Sequence, residues 1–388
     1  MLLGNLLVIC NDFPDKFAKY IVNIFVKEQL SYLRNYFENV YVVSPVPIGL
    51  EYLRKIHYVN YHFDNVHVYF IKYVDFPLFY FYSRNFWTYF EKTALINFLL
   101  KQDIKFDIIH AHNTWPSGAV ATEIKKEFNV PVIITEHTSS MFSKAINKKD
   151  QQFIRTWKEC DAIIRVRNDI HKFKDVGISL DKIYYVPNGY DNKKFIKLDK
   201  KMCREKLKLP QDRKIILTVG NLVEVKGHKY LIEAMQKIIT YRKDILCIIV
   251  GSGKLKNTLK NQIEKLELKK NYVTLVGGKP HNEIPIWMNA CDVFVLPSLR
   301  ESFGVVQIEA MACGKPVVAT YNGGSEDVIT SEDYGFLAEP ANSKELAEKI
   351  LIALDKEWDS EKILEYAGRF RWEDIVEEIL KVYEGVLK

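Results

Sequence analysis

From Lys214 onward the chain is built of short apolar runs, at residues 215–219, 246–250, 273–276, 293–296 and 317–319, each separated from the next by an amphipathic stretch. Within each run the apolar residues are continuous rather than alternating, as in strands buried on both faces. Strands of that kind, joined by helical crossovers, make a doubly wound parallel sheet, so the predicted class is α/β. The first half repeats the rhythm more loosely, at residues 6–9, 40–43, 107–110, 132–134 and 162–164. A chain of 388 residues that is 48% apolar can fill two cores, and two Rossmann-like lobes are expected.

Pro187-Asn188-Gly189 reads as the close of the last strand of the first lobe, and the polar stretch from Asp191 to Lys201 reads as the connector. The expected lobes are therefore 1–190 and 191–371. The tail from Trp372 carries Ile375, Val376, Ile379, Val382, Tyr383 and Val386 on one helical face. That face marks residues 372–388 as a helix returning to the first lobe.

Several classes drop out. No apolar run approaches the roughly 18 residues of a membrane span, and Met1-Leu2-Leu3-Gly4 lacks the basic start of a signal peptide, so a cytoplasmic location is expected. The six cysteines lie far apart with no Cys-x-x-Cys, which fits small buried residues rather than zinc ligands or a disulfide framework. A formal charge of +6, spread evenly along the chain, argues against nucleic acid as a partner. Aromatic residues crowd residues 57–90, with Phe76, Phe79, Tyr80, Phe81, Tyr82, Phe86, Trp87, Tyr89 and Phe90 among them. They are read first as the packing of a helix and its lead-in. The alternative is an acceptor-side surface or a peripheral contact with the inner face of a membrane through residues 76–90.

The segment Pro297-Ser298-Leu299-Arg300-Glu301-Ser302-Phe303-Gly304-Val305 follows a buried strand and opens a helix that contains Glu309. Free backbone N–H groups and the positive end of the helix dipole favour an anion there, and Gly304 presents no side chain against close approach. Glu301 in the loop and Glu309 within the helix can address two ends of one extended, hydroxyl-rich ligand, because an ionised carboxylate accepts two hydroxyl hydrogen bonds at once.

This stretch resembles the signature of glycosyltransferase family 4, retaining enzymes of the GT-B fold, and other segments agree in order and spacing. Gly220-Asn221-Leu222 with Lys226-Gly227-His228, Val250-Gly251-Ser252-Gly253, Pro316-Val317-Val318-Ala319 and Gly323-Gly324-Ser325-Glu326 are similar to the family's successive elements. The resemblance implies two Rossmann-like lobes with an interlobe cleft, a C-terminal helix crossing back to the first lobe, and a hexosyltransferase-type reaction. A sugar would pass from a UDP-, GDP- or ADP-sugar to a sugar or lipid-linked acceptor hydroxyl in glycan, polysaccharide or glycolipid synthesis. The donor would contact Asn221, Lys226, Gly253, Glu301, Ser302, Phe303, Gly304, Val305 and Glu309, with Glu309 on the ribose and Glu301 on the sugar. Lys226 would stabilise the departing diphosphate, and His112, where His110-Ala111-His112 ends a strand, would contact the donor sugar. His112, Lys226 and Glu301 are thus the catalytic candidates. Glu136-His137 closes the next run and is either a substrate contact or a structural pair.

Two departures stand out. Asn221 replaces the family's arginine, removing one cation beside the phosphates, with His228 as a possible helper. Cys10-Asn11-Asp12-Phe13-Pro14-Asp15 lacks the glycines often found after the first strand. No Asp-x-Asp occurs, so no metal requirement is expected. A nucleotide-sugar epimerase and a non-catalytic nucleotide-sugar-binding subunit are the alternatives. A dinucleotide oxidoreductase fits worse, because Gly251-Ser252-Gly253 is followed by no third glycine.

Overall fold

The computed structural model describes residues 2–17, 23–54, 56–74, 84–268 and 272–387. The chain divides into two units, Met1–Pro187 with Trp372–Lys388, and Asn188–Arg371. Among the described residues each unit holds one sheet.

The first sheet contains β1 (Asn5–Ile9), β2 (Asn39–Pro47), β3 (Tyr61–Phe63), β4 (Val66–Tyr73), β5 (Ile108–His112), β6 (Val132–Glu136), β7 (Ala162–Arg165) and β8 (Ile183–Tyr185). Their order is β3-β4-β2-β1-β5-β6-β7-β8, parallel except for the antiparallel β3–β4 pair. Leu7 and Ile9 face one core and Leu6 and Val8 the other, which is why these strands read as continuous apolar runs. The helix Trp372–Val386 packs within this unit, placing Trp372, Ile375, Val376, Ile379 and Tyr383 in the second of those cores. Its Tyr383 hydroxyl lies 2.5 Å from His110 Nδ1 on β5, so the tail is bound by a buried polar contact as well as by apolar area.

The aromatic-rich segment departs from expectation. Its first part is not the lead-in to a helix but the strands β3 and β4, with β4 paired to β2 along its whole length. The run Val66-His67-Val68-Tyr69-Phe70-Ile71-Lys72-Tyr73 is rich in β-branched and aromatic residues, and tertiary pairing made it a strand. A helix does follow, at Arg84–Lys101, where Trp87 packs on the core while Phe86 and Tyr89 are exposed. Phe76, Phe79, Tyr80, Phe81 and Tyr82 lie outside the described residues. No helix among the described residues is long and apolar enough to cross a membrane.

The second sheet contains β9 (Lys214–Val219), β10 (Ile245–Val250), β11 (Val273–Gly277), β12 (Val293–Leu296), β13 (Val317–Thr320) and β14 (Gly335–Ala338). It is wholly parallel, in the order β11-β10-β9-β12-β13-β14. The polar stretch after Asp191 is no free connector. Phe195 is buried, and Asn289 ties the segment down, its Oδ1 accepting from Leu198 N–H at 2.8 Å and its Nδ2 donating to the Ile196 carbonyl at 2.9 Å.

Both sheets reverse direction at their middle, between β1 and β5 in the first and between β9 and β12 in the second. Open α/β sheets bind ligands outside the carboxyl ends of the strands at such reversal points, where neighbouring loops diverge.

Candidate functional site

In the second unit the loops that leave β9, β10, β12 and β13 are pressed together, and glycines allow it. A Cβ at Gly251 would fall 1.9 Å from the Gly220 carbonyl oxygen, and one at Gly227 would fall 1.9 Å from that of Pro297. At Gly324 it would lie 2.8 Å from the Phe303 backbone. Gly253 sits against the Leu222 backbone with its φ at +155°. The motif glycines are thus required first for loop-to-loop packing.

That packing unites Lys226 with Glu301. The Leu299 N–H donates to the Val225 carbonyl at 2.7 Å, joining the two loops through their backbones. The Lys226 ammonium then donates to Glu301 Oε1 at 2.6 Å, and the Ser298 hydroxyl donates to the same oxygen at 2.7 Å. Glu301 N–H donates to the Asn322 carbonyl at 3.0 Å, while Asn322 Oδ1 accepts from the amides of Gly324 and Ser325. Ser298 and Asn322 carry no functional expectation from the sequence, yet they orient the loop carboxylate.

Immediately beyond Glu301 the helix Val305–Ala312 begins, with Gly304 as its cap at φ +78° and no side chain capping its first turn. Its first amide groups are therefore available to an anion, and the dipole favours one. Ser302 and Val305 are half-buried at this turn. Phe303 turns its ring inward to meet Phe370 edge-on at 5.8 Å, leaving only its backbone for any ligand.

Asn221 is exposed and supplies no charge. His228 does not replace the missing cation: burial pushes its imidazole down to about 4, and its Nε2 lies 3.2 Å from the Asn221 carbonyl. It is neutral near pH 7, and with Nε2–H donating it shapes the loop that carries Asn221. Glu309 is buried within the helix, its Oε1 3.2 Å from His281 Nε2.

The first unit presents a different constellation at the ends of β5 and β6. His112 Nδ1 lies 2.9 Å from His137 Nε2, with the rings stacked at 13°. Both imidazoles are held neutral by burial, His137 down at about 3 and His112 well below its ordinary value with His110 and His137 as further causes. His112 Nε2 is buried without a hydrogen-bond partner. Such an atom is costly unless something meets it.

Glu136 is the structural member of its pair. Its carboxylate accepts from the Thr114 amide at 3.0 Å and from the Thr138 amide and hydroxyl at 2.6 Å each. After β1, Asp12 takes the left-handed backbone, φ +61°, that a glycine would otherwise supply. Asn11 Oδ1 accepts from the Ser117 hydroxyl at 2.6 Å, so a polar side chain closes this turn.

Known proteins agree with this architecture. Residues 22–194 match the family model described as Glycosyltransferase Family 4, and residues 199–384 match that of Glycosyl transferases group 1. An uncharacterized glycosyltransferase of Methanocaldococcus jannaschii is 32% identical over 284 residues, covering 72% of this chain and 75% of its own length. The chain belongs to glycosyltransferase family 4. As a family 4 enzyme it has the GT-B fold, and two solved structures share that fold with it. Sucrose-phosphate synthase from Thermosynechococcus elongatus superposes with a TM-score of 0.79 at 22% identity, over 98% of each chain. Anabaena HepE in complex with UDP-glucose gives 0.71 at 21% identity, over 98% of this chain and 99% of its own.

Proposed function

We propose that this family 4 glycosyltransferase moves a hexosyl group from a UDP-, GDP- or ADP-sugar to the hydroxyl of a sugar or lipid-linked acceptor, with retention at the anomeric carbon. The observation that carries the reading is the convergence of Lys226 and Glu301 beside the uncapped helix start at Gly304. Diphosphate binds at the amides of residues 302–305, and Lys226 exchanges part of its contact with Glu301 for the phosphate. As the glycosidic bond lengthens, negative charge grows on the diphosphate, and a fixed cation then stabilises the transition state more than the ground state. Glu301 and Glu309 accept hydroxyl hydrogen bonds from the sugar and the ribose. The neutral His112 offers its unpartnered Nε2 to a sugar hydroxyl. Among solved relatives of this fold, HepE is a UDP-glucose complex, which supports a nucleotide-sugar donor.

In this scheme the helix dipole and Lys226 do the charge stabilisation that a divalent metal does elsewhere. The acceptor hydroxyl attacks on the face from which the diphosphate leaves, and its proton passes to the leaving phosphate oxygen.

The test begins with thermal unfolding against a panel of UDP-, GDP- and ADP-sugars. A cognate donor at about 100 times its dissociation constant stabilises by about 2.7 kcal/mol. Transfer from that donor to a panel of sugar and lipid-linked hydroxyls, with and without chelator, then reads activity, and proton NMR of the product reads the anomer. Retained configuration and chelator resistance are the expected results. Donor conversion without acceptor would mean an epimerase, and stable donor binding without turnover would mean a binding subunit.

A further inference from the structure

β11 ends at Gly277, and the segment leading to the helix Ile284–Ala290 carries His281 at its turn. The two ring nitrogens of His281 meet two different charged side chains. Nε2 lies 3.2 Å from Glu309 Oε1, and Nδ1 lies 3.2 Å from Lys194 Nζ. An ammonium can only donate, so Nδ1 must accept from Lys194 and the ring proton must sit on Nε2, where it is donated to Glu309. The tautomer is thereby decided by a residue on the far side of the ring. Lys194 also lies 3.8 Å from Asp191, which holds the ammonium on this side of the lobe.

The ring is fixed mechanically as well. Phe195, itself buried, packs against it at 5.5 Å between centroids. Lys194, His281 and Glu309 come from three separate parts of the chain, and none of the family-like motifs includes either of the first two.

We infer that His281, with Lys194 behind it, is a positioning residue for Glu309: it holds one carboxylate oxygen so that the other acceptor sites face the ribose hydroxyls of a nucleoside diphosphate. This rests on the reading of Glu309 as the ribose ligand. A carboxylate held on one side loses less rotational freedom when it binds, and the chain from Lys194 fixes the donor that holds it. His281 itself touches no reacting atom.

Glutamine and asparagine separate the two sides of the ring. In His281→Gln the amide nitrogen replaces Nε2 and keeps the donor to Glu309, whereas in His281→Asn the shorter amide reaches only the Nδ1 position. Calorimetry on the full chain would use whichever of UDP, GDP and ADP the wild type binds most tightly, together with its 2′,3′-dideoxy counterpart. Wild type and Glu309→Gln set the scale of ribose discrimination.

His281→Asn should lose about fivefold or more in affinity for the ribonucleotide and nothing for the dideoxynucleotide, with His281→Gln within about twofold of wild type for both. Equal losses for both nucleotides, or no loss at all, would overturn the inference. If Glu309→Gln discriminates ribose from dideoxyribose as wild type does, the ribose reading of Glu309 fails first. If Glu309→Gln loses the discrimination and His281→Asn keeps it, only the role of His281 fails. Lys194→Met provides a second route should His281→Asn not fold: a ribose-selective loss of two- to threefold supports the relay, and wild-type discrimination overturns it.

Discussion

At the carboxyl end of the first sheet the two histidines are buried and neutral, with His112 stacked on His137, while Glu136 is spent on the Thr114 and Thr138 amides and the Thr138 hydroxyl and Arg165 is closed into a buried pair with Asp169. At the carboxyl end of the second sheet ionic groups line the candidate site itself, with Lys226 on Glu301 and Glu309 backed by His281 and Lys194. The backbone differs in the same sense. Glycines bring four loops into contact in the second unit, while in the first the turn after β1 is closed by Asn11 and Asp12. A diphosphate needs fixed positive charge and bare amide groups, and a sugar hydroxyl needs a neutral group that can donate or accept. In the proposed scheme the phosphates fall to the second lobe, with Glu301 and Glu309 accepting hydroxyls beside them, and the neutral His112 of the first lobe meets a sugar hydroxyl.

The largest test of that contrast is Lys226→Ala. It should lower turnover about a hundredfold, in the range seen when one electrostatic stabiliser of a developing anion is removed, and lower donor affinity much less. Steady-state kinetics beside calorimetry would show it. A loss confined to affinity would make Lys226 a binding residue and leave the helix N-terminus as the main stabiliser.

His112→Ala probes the neutral side. Transfer should fall at least about tenfold, the equivalent of about 1.4 kcal/mol, with nucleoside diphosphate affinity unchanged. If nucleotide affinity falls as well, the two lobes do not divide the ligand as argued. Glu309→Ala is the mirror image, since it should weaken nucleoside diphosphate binding about tenfold, in line with about 1.5–3 kcal/mol for a charged hydrogen bond. Wild-type affinity in that variant would remove Glu309 from the ribose.

A test of stability rather than of activity concerns acid. Burial holds His110 down at about 3, so its folded pKa lies far below the value near 6.5 of an unfolded chain. As pH falls below about 6.5 the unfolded chain takes up the proton first, and the folded state loses stability down to the folded pKa. Urea unfolding between pH 7 and 4 should therefore show declining stability, by up to about 1.4 kcal/mol per pH unit for each such histidine. His110→Gln should flatten that decline. An unchanged slope would mean that His110 already titrates in the folded protein.

The strands were legible where the signal was local. Runs such as residues 246–250 announce a doubly buried strand by composition alone, and β10 spans Ile245–Val250. β3, β4 and β14 were missed because they are short, edge-placed or mixed with polar residues, and pairing to a neighbour decides such segments. The stretch after Asp191 looked like a connector because its polar side chains dominate its composition, yet Phe195 is buried.

By itself the sequence determined two parallel α/β lobes, the loop-then-helix at residues 297–310 and the family to which those motifs belong, because periodicity and spacing are written within a few dozen residues. Only the tertiary structure decided that Lys226 meets Glu301 across 75 positions, that His112 and His137 share a hydrogen bond across 25, and that His110 meets Tyr383 across 273. The same holds for His281 between Lys194 and Glu309, 87 and 28 positions away. Such contacts leave no trace in local composition, since any polar residue at those positions would keep the same pattern; only the packing of strands, loops and helices within each unit brings them together.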